Sequence, residues 1–187
     1  MKKKLTVIFA LTIISVLAVS TISYAQPYGE GLYGITKYGS QTSITISANS
    51  GVTIPDITPI QSGTIGTGAS IITVASTDVM GYKLYISAYP NTYMNNLGYH
   101  IQPSAHTYTY PNVNDTGLEV DHWGFNTDGG ANFAGLTAIN TDNLIYSTNA
   151  PTPGHDTTVT YGLNVDFAAP AGQYSAQVIY TAVPQTN

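Results

Sequence analysis

The sequence predicts an all-β protein of the sandwich type, and three observations carry that expectation. Apolar residues alternate with polar ones at a period of two, turn residues interrupt the chain at short intervals, and no stretch beyond the N-terminal segment keeps a 3.6-residue apolar period. Composition agrees: of 187 residues only 8% are charged, none is cysteine, and 15 are tyrosine. Low charge with many aromatic and β-branched residues argues against disorder and for strands.

The chain opens with Lys2, Lys3 and Lys4, then an apolar stretch from Leu5 to Val19, then Ser23-Tyr24-Ala25. A basic start, an apolar run of this length and small residues at −3 and −1 of a cleavage point describe a secretory signal peptide over residues 1–25. If that segment stays uncleaved, it is the chain's one contact with a membrane. The expected location is therefore extracellular or at the cell surface. Removing 25 of 187 residues leaves 162, a comfortable length for one domain. It also leaves two lysines, Lys37 and Lys83, against ten acids, a formal charge of −8. Such a surface repels phosphate backbones, so no nucleic-acid partner is expected. With no cysteine the exported chain has no disulfide to rely on and must hold itself together by packing.

Residues 26–41 carry Tyr-Gly at 28–29, 33–34 and 38–39. Glycine this dense is costly to order, so the segment reads as a flexible arm; the alternative reading is an adhesive or strand-donating arm. The single β-sandwich domain is expected over 42–187. Ser43–Ser47 alternates as a half-buried strand, and Asn49-Ser50-Gly51 turns the chain. Pro55 and Pro59 make the next stretch an edge or irregular. Gln61–Ser70, rich in Gly, Ser and Thr, reads as a loop. Ile71–Ser76 and Gly81–Ala88 read as strands, the second with Tyr82, Leu84 and Ile86 on one face. In the loop-rich middle, His122–Asn126 stands out as a strand closed by Asp128-Gly129-Gly130. Thr157–Phe167 alternates with Val159, Tyr161, Leu163, Val165 and Phe167 on one face. A turn at Ala169–Gly172 leads into a long closing strand, Gln173–Val183.

Two phrases carry a resemblance: IITV followed by GYKLYISA within Ser70–Ala88, and YGLNVDFAAPAGQYSAQVIYTAV over Tyr161–Val183. With a Trp-Gly strand between them, they resemble secreted Ig-like surface domains of bacteria, similar to WxL-type cell-wall-associated domains. More distantly they resemble spore-coat-U and chaperone–usher pilus subunits. The resemblance implies an Ig-like antiparallel β-sandwich, a place in the envelope, and partners among envelope components, glycans, other surface proteins or the chain itself. The sequence departs from the WxL pattern at Trp123-Gly124-Phe125, which lacks the W-x-L spacing.

Within Gly172-Gln173-Tyr174, a tyrosine entering a strand after a corner buries its ring and returns its hydroxyl to nearby backbone. Gly172 supplies the backbone freedom such a corner needs. Chemistry is harder to find. His100, His106, His122 and His155 show no metal-ligand spacing, and no serine nucleophile elbow or phosphate-cradling loop is present. No enzyme is expected. Asp115, Glu119, Asp121 and Asp128 surround the single tryptophan, so a sugar site or a Ca²⁺ site is weighed there against a solvated acidic stretch with Trp123 in the core. Trp123, Phe125, Tyr108 and Tyr110 are the candidate ligand-binding residues, joined by the loop tyrosines Tyr89, Tyr93 and Tyr99, because aromatic rings with polar tips suit sugars and interfaces. The functional expectation is a non-catalytic structural or adhesion protein. The alternatives are a pilin-like subunit assembling by strand addition and a carbohydrate-binding module.

Overall fold

Two long strands, β2 (Thr64–Ser76) and β10 (Thr152–Val165), pair antiparallel along nearly their whole length, from Thr152 opposite Ser76 to Val165 opposite Thr64. The computed structural model describes residues 42–185, so the expected signal peptide and the Tyr-Gly arm lie outside the described residues. The remaining strands are β1 (Ile44–Ala48), β3 (Tyr82–Ala88), β4 (Met94–Asn96), β5 (Tyr99–Pro103), β6 (Tyr108–Thr109), β7 (Asn112–Val113), β8 (His122–Asn126), β9 (Asn143–Thr148) and β11 (Val178–Pro184). One sheet has the order β1-β2-β10-β8-β5-β4, the other β11-β3-β9, and β6 and β7 form a small hairpin. All pairings are antiparallel except β5 with β8, so the larger sheet is mixed, where the sequence predicts a purely antiparallel sandwich.

Alternation selects the core. Ile72, Val74, Val159, Tyr161 and Leu163 of the larger sheet meet Tyr82, Leu84, Ile86 and Ile145 of the smaller one in a single buried cluster. Each such side chain contributes about 1.5–3 kcal/mol by leaving water, and in a chain without cysteine this two-sheet contact does what disulfides do elsewhere. The architecture is all-β and sandwich-like.

Three expectations are corrected. Residues 64–70 are not a loop but the first half of β2, paired with β10 from Val165 back to Val159. Their glycines supply space instead of flexibility. A Cβ on Gly66 would lie 2.7 Å from Ile57 Cδ1, and one on Gly68 would lie 2.7 Å from Val52 Cγ1. The irregular, proline-interrupted segment after β1 thus crosses β2 at the glycines, and Val52, Ile54 and Ile57 pack onto the core there. Phe167 does not share the inward face of β10. Pairing ends at Val165, the Asp166 carboxylate accepts the Ala168 N–H at 2.7 Å, and the turn this makes leaves Phe167 70% exposed. The closing strand is also shorter than expected. Ser175 still pairs with Asn95 of β4 in the larger sheet, whereas Val178 pairs with Ala88 of β3 in the smaller one, so the chain changes sheets between them.

The outer face of the larger sheet is partly covered as well. Gly162 of β10 and Gly124 of β8 stand directly opposite each other, leaving a bare patch of backbone. The Phe133 ring lies on it: a Cβ at Gly162 would sit 2.7 Å from its Cε1, and one at Gly124 would sit 2.4 Å from the Ala134 carbonyl oxygen. Asn126, fully buried beside this patch, donates to the carbonyls of Gly130 and Asn132 at 3.0 and 2.9 Å, and Asn164 donates to the Leu118 carbonyl at 2.8 Å. Both ends of the described chain are fastened to the short connection between β2 and β3. Thr77 N–H donates to the Ser43 carbonyl, and Gln185 N–H donates to the Gly81 carbonyl, each at 3.0 Å.

Replacing Gly162 by Val forces Phe133 off its seat and is expected to cost about 2–3 kcal/mol in urea unfolding. Phe133→Ala is expected to cost about 3–5 kcal/mol, and because the valine fills space the ring vacates, the double variant is expected to cost less than the two singles together. Gly154→Ala, whose Cβ would meet only Thr73 Cγ2 at 3.8 Å, is the control, expected within about 0.5 kcal/mol of the parent.

Candidate functional site

The aromatic candidates divide by depth. Trp123 and Phe125 belong to β8, where inward residues meet the other sheet, and are 3% and 0% exposed. The Trp123 indole N–H donates to the Thr92 carbonyl at 2.8 Å, and its ring stacks with Tyr161 at 6.5 Å between centroids. Phe125 lies 5.0 Å from Tyr108, whose hydroxyl bonds Thr127 Oγ1 at 2.7 Å. Neither Trp123 nor Phe125 offers a ring face to a ligand, and Tyr108 packs against Phe125. The expectation of a sugar platform at Trp123 and Phe125 is therefore corrected: the one tryptophan is core. Tyr110, 37% exposed, presents an edge to Tyr146 at 6.4 Å.

The acidic stretch beside Trp123 is likewise committed to structure. Glu119 accepts from the Ser104 hydroxyl at 2.8 Å and from the Ala105 N–H at 3.1 Å, and lies 3.4 Å from His106 Nε2. Burial alone would raise its pKa, but these hydrogen bonds together with one from its own backbone, and the nearby imidazole, hold it below the ordinary carboxylate value. Glu119 is thus a peg that fixes the loop after β5. Asp128 closes its own turn by accepting the Gly130 N–H at 2.9 Å. Among the described residues no three acids or histidines come together to hold a metal ion, so the acids have no shared centre on which the Ca²⁺ reading can rest. The other histidines have separate neighbours: His100 stacks on Tyr93 at 3.9 Å, His155 on Tyr146 at 3.8 Å, and His122 Nδ1 lies 2.8 Å from the Val120 carbonyl.

At the corner before β11, the Tyr174 hydroxyl donates to the Pro170 carbonyl at 2.7 Å and its ring meets Tyr99 edge-on at 6.2 Å. Gly172 has the positive φ expected of the corner, 158°, and a Cβ there would also run into the Asn96 amide, so close approach to the β4–β5 hairpin is a second reason for glycine.

Sequence reasoning missed two tyrosines that matter inside the sandwich. The Tyr161 hydroxyl of β10 meets the Tyr180 hydroxyl of β11, with Ser70 of β2 as a further partner, tying the two sheets across the core. Their alternation marks both as inward but shows nothing of the meeting of their tips. Burial, the first cause, and the proximity of Tyr180 push the Tyr161 phenol far above its ordinary pKa. Tyr82 is fully buried, and its hydroxyl has no hydrogen-bond partner among the described residues.

The surface feature most open to a partner is a pair of strand edges. β1 borders the larger sheet and β11 the smaller, each paired on one side only among the described residues, and the two lie near each other on one flank. Neither Ile44–Ala48 nor Val178–Pro184 contains a charged residue, and Ile46 and Val183 are 42% and 43% exposed. Lysines and other charges are the usual guards of such edges.

Burial pushes the Tyr82 pKa up from 10.0 to about 12, with Tyr146 and Tyr110 adding to it. The unfolded chain releases this proton near pH 10 while the native state keeps it, so stability is expected to fall as pH climbs from about 10 to about 12. Tyr82→Phe is expected to flatten part of that fall. Because it removes a buried, unpaired hydroxyl, it is also expected to raise neutral-pH stability by about 1 kcal/mol, read by denaturant unfolding at pH 7 and 11. Compared with known protein families, curated proteins and solved structures, the chain matches none.

Proposed function

We propose that this is a non-catalytic structural or adhesive protein, exported to the bacterial-type cell surface, whose copies join by strand addition. The observation that carries the reading is the uncharged, half-paired edge of β11 beside the equally unguarded edge of β1. An extended segment added there gains backbone hydrogen bonds along the whole strand, and affinity comes from the main chain without a dedicated pocket.

The donor in this reading is the Tyr-Gly arm, Gln26–Gln41, of a neighbouring copy. Sixteen residues reach about 50 Å when extended, more than twice the length of the seven-residue β11. The arm carries one acid and one lysine and no proline beyond Pro27, so little in it opposes pairing. Export is supported by the N-terminal signal pattern, and an envelope role by the resemblance to secreted Ig-like surface domains. The absence of catalysis is supported by the way Glu119 and His106, close enough to act as an acid–base pair, are spent on fixing a loop.

The test is the oligomeric state of the mature chain, 26–187. Multimers are expected on a sizing column, and deletion of 26–41 is expected to dissolve them. Thr181→Lys and Val183→Lys, exposed positions on the outer face of β11, are expected to do the same while leaving unfolding curves within about 0.5 kcal/mol of the parent. A monodisperse monomer from the intact mature chain refutes assembly by this route.

A further inference from the structure

A second surface, independent of the strand edges, has the chemistry of a binding site. Between the segment after β3 and the segment before β11 runs an open groove of about 280 Å³, lined by Tyr89, Asn91, Tyr93, Asn95, Ser175 and Gln177 among others, at the small end of ligand clefts. Tyr89 is 47% exposed, and Tyr93 is held in place by its stack on His100. The walls are pinned to each other through backbone: Tyr89 N–H donates to the Gln177 carbonyl at 3.0 Å, and Asn95 and Ser175 exchange N–H···O bonds at 3.0 and 3.3 Å. The groove therefore exists before any ligand arrives.

Its chemistry selects the ligand class by elimination. The lining contains no charged side chain, and among the described residues Lys83 is the only lysine or arginine against nine acids, so anionic ligands are repelled. A cationic ligand would need a carboxylate, and none lines the groove. A purely apolar ligand would strand the amides of Asn91 and Gln177 away from water, at a cost of a lost hydrogen bond each. A peptide recognised through its backbone wants free N–H and C=O groups, and here the Tyr89 N–H, the Gln177 carbonyl and both groups of Asn95 and Ser175 are already paired across the groove. What remains is a ligand with a flat apolar face and a rim of neutral hydroxyls. An exposed tyrosine ring is the stacking surface for such a face, and carboxamides, each with two donors and an acceptor, match neighbouring hydroxyls on one ring.

We infer that this groove is a binding site for neutral saccharide units, with Tyr89 as the stacking platform and Asn91 and Gln177 as the hydroxyl-reading groups. It takes the role from Trp123, which is sealed in the core. The site also stands apart from assembly, since it uses side chains and leaves the outer edge of β11 free.

The test uses the mature chain with the Thr181→Lys substitution, a monomer if strand addition operates and otherwise unaltered, so the failure of one idea leaves the other readable. It is presented to an array of neutral hexose and N-acetylhexosamine oligosaccharides alongside uronate-containing and sulfated ones, and hits are titrated by calorimetry. Binding to neutral glycans is expected, weakened about tenfold by Tyr89→Ala and retained by Tyr89→Trp. Asn91→Ala, at an exposed position, is expected to weaken it severalfold and serves if Tyr89→Ala proves unstable in thermal unfolding. The absence of any neutral hit, a preference for the acidic glycans, capture of peptides alone, or equal binding by the parent and both alanine variants would overturn the assignment.

Discussion

Everything else in this fold hangs on the β2–β10 ladder. Twelve register pairs between Thr64–Ser76 and Thr152–Val165 bring together segments separated by most of the domain's length. Antiparallel pairing of this extent fixes the inward set, Ile72, Val74, Val159, Tyr161 and Leu163, and with it the face against which β3 and β9 must pack. A one-residue slip would turn every one of those side chains to solvent. In a chain without cysteine, whose described residues show a single His–Glu ion pair, register takes the place of cross-links. The price is a high proportion of long-range contacts that must form before any of them is rewarded.

The glycines adapt this scaffold to layers on both faces. Inside, Gly66 and Gly68 admit the proline-rich crossing; outside, the opposed pair Gly124 and Gly162 admits Phe133. The outer layer seats Phe133 away from the main core cluster and buries Asn126 and Asn164, whose amides hold the covering loops in position. Such buried amides are useful only if the loops sit where their carbonyls can be reached, so they make the cover specific as well as stable.

How much of this could be read from residues alone follows the same physics. β1, β3, β8 and the centre of β10 were legible because their inward positions carry Ile, Leu, Val, Tyr and Trp at a strict period of two. The first half of β2 was not, because the composition Gly-Thr-Gly-Ala-Ser is that of a loop, and only the crossing of Val52–Ile57 explains why glycine is needed in a strand. β9 was hidden by the irregularity opposite Leu84 and Tyr85, which breaks the alternation between Leu144 and Tyr146. For the site, composition marked Trp123 as an aromatic with a polar tip but could not say that both its faces are covered. The groove at Tyr89 escaped because its two walls are eighty or more residues apart in sequence, and their joining is a matter of backbone pairing that no local pattern records. The tyrosine corner at Tyr174 was the opposite case, a short-range motif whose partner, Pro170, lies four residues away.

The fastening of both ends of the described chain to the β2–β3 connection has a mechanical meaning. Ser43 and Gln185 are held at Thr77 and Gly81, four residues apart in sequence, so a force drawn between the two ends runs across one end of the sandwich, transverse to its strands. Bonds of β1 and β11 are then loaded one after another, as in a zipper, while the β2–β10 ladder carries no load. The outer strands therefore meet such a tension before the ladder behind them.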